Sequence, residues 1–272
     1  MRTETITSAQ NPKIKTLLEL QEKSKARRRE GLFVVEGQRE LEHCISVGYE
    51  AHTVFICREI TGEKGFNEIC RAIESGNSRT SCTVIEIPKV LYEKVAYRGS
   101  TEGVIAELRC KEHNLENLKL KVNPVVIVLE SVEKPGNLGA VLRSADAAGV
   151  DAVIVCDPLT DLYNPNLIRS SIGGIFTVPT VAATSAETIK WLKANNIKIY
   201  TAQLQDSEWY YDTDMTGGTA IVMGTEATGL TEIWREAADA HIKIPMLGRL
   251  DSLNVSVSAA ILMYEAVRQR NI

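Results

Sequence analysis

The chain alternates between short, continuously apolar runs and stretches where apolar side chains recur every three or four positions. Leu32–Val35, Thr53–Cys57, Cys82–Ile87 and Val104–Leu108 read as strands, and Gln38–Val47, Phe66–Glu74 and Lys89–Ala96 read as helices between them. A longer amphipathic helix is predicted first, over Pro12–Arg29. It carries Ile14, Leu17, Leu18 and Gln21 on one face, a proline in its first turn and Gly31 just beyond its end. The pattern lapses in a polar stretch from Lys111 to Asn123, which ends at Pro124, and then resumes. Strands are predicted at Val125–Glu130, Ala152–Cys156, Ile197–Thr201, Thr219–Met223 and Ile242–Ile244. Helices are predicted at Leu138–Ala148, Ser185–Asn195, Leu230–Ala237 and Asn254–Arg270. These later strands are apolar almost throughout, as expected of a parallel sheet covered on both faces. The expected architecture is α/β in two domains, 1–110 and 124–272, with 111–123 as linker.

Composition adds exclusions. At 272 residues, 44% hydrophobic and 24% charged, the chain has ample material for two cores. A net charge of −4 and a pI near 5.7 argue against a protein that coats nucleic acid with its whole surface. The average conceals an asymmetry, because residues 1–30 hold eight basic and four acidic side chains while residues 111–272 hold fourteen and nineteen. No apolar run approaches the roughly 18 residues of a membrane span. The opening Met1-Arg-Thr-Glu-Thr lacks the apolar core of a secretory signal, so a cytoplasmic location is expected. The six cysteines lie 12 to 46 residues apart without a C-x-x-C pair, most of them in apolar runs. They read as reduced, buried thiols, and no metal site is expected.

Three loops at the carboxyl ends of predicted strands carry the candidate chemistry, at the edge where open α/β sheets bind ligands. The first is Glu133-Lys-Pro-Gly-Asn-Leu-Gly139, with Asn137 as the expected N-cap and Gly136 and Gly139 as sites of close approach or positive φ. Arg143 stands in an otherwise small and apolar helix. It is either a surface arginine pairing with Asp146 or a guanidinium leaning toward an anion at the helix start. The second loop, Met223-Gly-Thr-Glu-Ala-Thr-Gly229, holds Glu226 among small residues, as a turn carboxylate or a functional one, with Thr228 or Thr231 as helix cap. The third, Ile242 to Ser258, places Ser252, Asn254, Ser256 and Ser258 at a helix start, for capping or for binding. A dinucleotide fold is the rival reading, with Asp157 as ribose ligand, but only Gly136-x-x-Gly139 of the glycine fingerprint is present.

These residues carry a family resemblance. N-x-G-x-x-x-R at Asn137–Arg143, G-x-E-x-x-G-L at Gly224–Leu230 and S-L-N-V-S at Ser252–Ser256 resemble, in order, the three motifs of SpoU/TrmH-type RNA 2′-O-ribose methyltransferases of the SPOUT superfamily. Ile6-Thr-Ser, Asn11-Pro and Phe33-x-Val-Glu-Gly37 also resemble the ribosomal-protein-like amino-terminal domain of many members. The resemblance implies a parallel sheet with a deep trefoil knot, S-adenosylmethionine as cofactor, and a homodimer formed through the carboxyl-terminal domain. It implies catalytic or site-organising roles for Arg143, Asn137, Glu226, Ser252 and Asn254. Cofactor contacts are implied at Met223, Gly224, Thr225, Glu226, Ile244, Met246, Leu247 and Leu253. Two positions depart from the family pattern: Thr225 replaces the more usual Asn, and Ala227 replaces the usual Gly.

Five basic residues in seven (Lys23, Lys25, Arg27, Arg28 and Arg29) are expected to meet RNA phosphate, because they concentrate the positive charge of an acidic chain beside an RNA-binding domain. Ribosomal RNA of the large subunit is the expected substrate. The alternatives are transfer RNA and a non-catalytic RNA-binding protein that retains the fold.

Overall fold

In the computed structural model the structure describes residues 2–76, 82–97, 102–225 and 228–271. The chain forms two compact units, residues 1–112 with 163–168, and residues 113–162 with 169–272. Tyr163–Ile168 thus belongs with the first unit, although it falls inside the range expected for the second domain. The stretch expected as a linker joins the second unit from His113 onward. Its Leu115 is buried there, with Leu118 and Leu120 packed against the same core.

The first unit contains β1 (Arg2–Thr5), α1 (Pro12–Glu22), α2 (Ser24–Glu30), β2 (Leu32–Glu36), α3 (Gln38–Ser46), β3 (Ala51–Ile56), α4 (Arg58–Gly76, interrupted at Gly62), β4 (Thr83–Glu86), α5 (Lys89–Val95) and β5 (Val104–Arg109). Its sheet runs β1-β4-β3-β5-β2, with β5 antiparallel to both neighbours and the other pairs parallel. The polar strand β1 escapes periodicity because it is a largely exposed edge strand. The single helix expected over Pro12–Arg29 is instead two, broken at Lys23, which takes an extended conformation. Ile14, Leu17 and Leu20 face the core, and the buried Gln21 donates through Nε2 to the Val95 carbonyl at 3.0 Å. Phe33 stacks on Tyr163 with ring centroids 4.4 Å apart, and the Tyr163 hydroxyl accepts from the Lys111 backbone N–H at 2.9 Å.

The second unit contains β6 (Val125–Glu130), α6 (Pro135–Ala148), β7 (Ala152–Cys156), the end of α7 (Pro165–Ser171), α8 (Gly174–Thr177), β8 (Thr180–Ala183), α9 (Ser185–Ala194), β9 (Lys198–Ala202), β10 (Glu208–Trp209), β11 (Thr219–Met223), α10 (Glu232–Ala237), β12 (Ala240–Lys243) and α11 (Val255–Arg270). All seven strands are parallel in the order β10-β12-β9-β11-β6-β7-β8. The register aligns Met223 with Leu129 and Glu130 with Cys156, so the carboxyl ends of the central strands form one edge. β6, β7 and β11 are buried at every position, which explains their unbroken apolar sequence.

The cysteines are free thiols, with Cys44, Cys57, Cys82 and Cys156 buried and Cys70 and Cys110 partly so. Burial pushes the Cys82 thiol up to about 11 and the Cys156 thiol up to about 12. Among the described residues no helix is long and apolar enough to cross a membrane.

Candidate active site

At the carboxyl edge of the parallel sheet lies a cavity of about 590 Å³. Loops after three strands build its wall: Ala202–Gln205 after β9, Met223–Thr225 and Thr228–Leu230 after β11, and Ile244 and Met246 after β12. Asp251–Val255, leading into α11, completes it. Of the expected cofactor contacts, Met223, Gly224, Thr225, Ile244, Met246 and Leu253 therefore share one cavity. Leu247 lies outside this wall and is 97% exposed. Glu226 and Ala227 lie outside the described residues.

The loop after β11 is held closed by its own backbone and by Thr225. The Gly229 N–H donates to the Thr225 carbonyl at 3.0 Å, and the Thr228 N–H donates to Thr225 Oγ1 at 3.0 Å. The two threonine hydroxyls lie 2.8 Å apart. Thr225, one of the departures from the family pattern, thus serves as a turn-closing hydroxyl. A Cβ at Gly224 would sit 2.3 Å from the Gly229 carbonyl carbon and oxygen, so only glycine allows the two limbs of the loop to touch. The side chain of Thr231, the N-cap of α10, makes no capping bond.

The first motif enters α6 differently from expectation. The helix begins at Pro135 after Lys134, so Asn137 lies in the first turn and is not the N-cap. Its amide is freed for another partner: Asn254 Nδ2 donates to Asn137 Oδ1 at 3.2 Å, across 117 residues of sequence. Asn254 caps α11 through its other amide atom, with Oδ1 accepting from the Ser256 N–H at 3.0 Å and the Ser256 hydroxyl at 2.6 Å. One asparagine therefore orders the third motif and ties it to the first. Gly139 permits close packing, since a Cβ there would meet Ser170 Oγ at 2.0 Å, whereas Gly136 has an open side and no positive φ.

Ser252 and Asn254 line the cavity, while Asn137 reaches it through Asn254. Arg143 is exposed on α6 and is not part of the cavity wall. It makes no ion pair with Asp146 among the described residues, and Asp146 Oδ1 accepts from the Thr177 hydroxyl at 2.7 Å.

The basic run divides. Arg27 is buried and donates from Nη1 to the carbonyls of Leu20 at 2.6 Å and Gln21 at 3.2 Å, satisfying the open end of α1. The expectation that it meets phosphate is corrected on that ground. Arg29 pairs with Glu30 at 2.7 Å and Glu19 at 3.4 Å, and Lys23 pairs with Glu19 at 3.5 Å. Lys25 and Arg28 are exposed and, among the described residues, make no ion pair.

Sequence reasoning missed Gln203, Arg235 and Lys243, which also line the cavity. Arg235 Nε and Gln203 Oε1 are buried without a hydrogen-bond partner among the described residues. The loop after β9 was findable by the same strand-end rule that located the other loops. Arg235 gives no such signal, because it sits mid-helix in α10. Among the described residues no group of three or more His, Cys, Asp or Glu could hold a metal ion.

Comparison with known proteins matches this arrangement. Residues 124–264 match the model of the SpoU rRNA Methylase family, and residues 11–106 match an MRM3-like substrate binding domain. The chain is 30% identical to the 23S rRNA (guanosine(2553)-2′-O)-methyltransferase RlmP of Bacillus subtilis, over 95% of this chain and 97% of that one. A crystal structure of an RNA 2′-O ribose methyltransferase superposes with a TM-score of 0.81 at 37% identity, covering 99% of this chain and all of that one. The SpoU methyltransferase AviRb from Streptomyces viridochromogenes, in complex with the cofactor AdoMet, superposes with a TM-score of 0.86 at 27% identity, over 96% and 99% of the chains. With described residues of the second and third motifs on one cavity and the first motif tied to the third through Asn137 and Asn254, the chain belongs to the SpoU rRNA Methylase family.

Proposed function

We propose that the protein transfers a methyl group from S-adenosylmethionine to a ribose 2′-hydroxyl of large-subunit ribosomal RNA. The observation that carries this reading is the convergence of Met223–Thr225, Ile244, Met246 and Ser252–Asn254 on one cavity in a chain of this family. The likeness to RlmP along nearly the whole chain favours ribosomal over transfer RNA. A ribosomal substrate in turn favours a cytoplasmic site of action.

The cavity fits the cofactor. Its volume is in the range of about 300–1,000 Å³ usual for such ligands. It offers apolar walls from Met223, Ile244 and Leu253, and the orphaned Arg235 Nε and Gln203 Oε1 suit a ligand that carries polar atoms. When bound, S-adenosylmethionine supplies a methyl group on a sulfonium leaving group. The chain supplies alignment and charge. Arg143, unpaired with Asp146, clamps a substrate phosphate bidentately and stabilises negative charge developing on the ribose oxygen. A guanidinium holds its proton tightly, so arginine suits that role better than that of a free base. The Asn137–Asn254 bond sets the first motif against the third, and site-organising roles go to Ser252 in the cavity wall and, by its motif position, to Glu226.

In this reading the first unit grips RNA and the second carries out transfer, with a trefoil knot formed by the three motif loops, after β6, β11 and β12, as the family resemblance implies. Homodimerisation is supported by α11, which turns Val257 and Tyr264 outward at 47% and 50% exposure with the part-buried Ile261 between them. The test is to incubate the protein with methyl-labelled S-adenosylmethionine and either 23S rRNA or transfer RNA, then map 2′-O-methylated nucleotides. Label in one ribosomal nucleotide is expected. Label confined to transfer RNA supports that substrate instead, and cofactor binding without transfer to any RNA supports the binding-only reading.

A further inference from the structure

We infer that Glu130 is a positioning residue that sets the second motif loop relative to the first. Resting on the methyl-transfer reading above, the inference names a carboxylate on which the cofactor cavity depends, although Glu130 is not part of its wall. Glu130 is the last residue of β6 and is only 3% exposed. A carboxylate taken so far out of water needs strong donors around it, and here the donors come mainly from one distant residue. Glu130 Oε2 accepts the Thr231 N–H at 2.9 Å and Oε1 accepts the Thr231 hydroxyl at 2.5 Å, across 101 residues of sequence. Thr231 directly follows the Gly224–Leu230 loop, whose described residues wall the cavity.

The opposite side of the carboxylate is also fixed. The Ser185 hydroxyl lies 3.4 Å from Glu130 Oε1 and 2.6 Å from Asp157 Oδ2, and it accepts from Trp234 Nε1 at 3.0 Å. Trp234 is fully buried in α10, so the network holds that helix at two points. Immediately after Glu130 the chain turns at Ser131, with φ of 52°, whose N–H donates to the Cys156 carbonyl at 2.9 Å. From there it enters the loop carrying Asn137. The strand that launches the first motif thereby grips the backbone that closes the second. Charge-assisted bonds in a buried setting hold both the distance and the angle between the two loops.

The experiment uses the full chain with Thr231→Val, Glu130→Gln, Glu130→Ala and the double variant Glu130→Ala/Thr231→Val. It measures the Kd for S-adenosylmethionine by calorimetry, separate KM values for cofactor and RNA, and Tm. Thr231→Val, which is isosteric and keeps the N–H, is expected to raise the cofactor Kd about tenfold, the size of one lost charged hydrogen bond. Its KM for RNA is expected to stay within about twofold. Glu130→Gln, which keeps an acceptor for the Thr231 N–H, is expected to fall between wild type and Glu130→Ala. The double variant is expected to match Glu130→Ala, because the threonine hydroxyl has no role once its acceptor is gone. If Tm falls while cofactor affinity holds in Thr231→Val and Glu130→Gln, the carboxylate is merely structural and the inference is overturned. A wild-type chain that binds no S-adenosylmethionine overturns the functional reading and this inference with it.

Discussion

Arg143 shows how little a single residue reveals until its neighbours are known. In sequence it is an arginine three positions before an aspartate, a spacing that usually means a surface ion pair. In the fold Asp146 is engaged by Thr177, and the guanidinium stays exposed and without that partner. A bidentate clamp requires the planar fork that lysine lacks. Arg143→Lys is therefore expected to lower kcat about 100-fold, with KM for S-adenosylmethionine little changed, in a steady-state assay on ribosomal RNA. A lysine variant with near-wild-type turnover would show that point charge suffices. Residues whose type and spacing form a motif, such as Asn137, Ser252 and Asn254, were legible in the sequence. Their roles in the fold were not, because the Asn137–Asn254 bond joins positions 117 apart. Glu130 and Arg235 were illegible for the same reason: burial and orphaned polar atoms exist only after folding.

At the scale of elements, strong periodicity carried most of the reading. Val125–Glu130, Ala152–Cys156 and Thr219–Met223 form strands over the residues their apolar runs predict. Elements too short to show a period were missed: β8 has four residues, β10 two and α8 four. The break at Lys23 was missed because the basic run after it is as helix-favouring as the helix before. That break changes the basic segment from one uniform surface into a division of labour. Lys25→Gln with Arg28→Gln is expected to weaken RNA binding about tenfold and to lower the slope of log K against log salt by roughly one to two, as read from binding titrations. Arg27→Gln is expected to lower Tm with little change in that slope, because its partners are the carbonyls of Leu20 and Gln21. A steep loss of slope in Arg27→Gln would place that residue on RNA after all.

For the whole molecule, the charge of −4 is an average over a basic start and an acidic remainder. Such a distribution favours a focused grip on RNA over indiscriminate coating. The outward stripe on α11 makes a prediction at this scale. If the proposed homodimer forms through this stripe, Val257→Asp with Tyr264→Asp is expected to give a monomer by light scattering where the parent chain gives a dimer, and to reduce methyl transfer more than tenfold. A dimer that persists in the double variant would move the interface elsewhere. The excursion of Tyr163–Ile168 into the first unit bears on modularity. Neither unit is a continuous length of chain, so no single cut can release either one intact. A break after Glu112 leaves Phe33 on one fragment and its stacking partner Tyr163 on the other. The two units are therefore interleaved along one chain, and exchanging the first unit for that of a relative requires three junctions, after residues 112, 162 and 168.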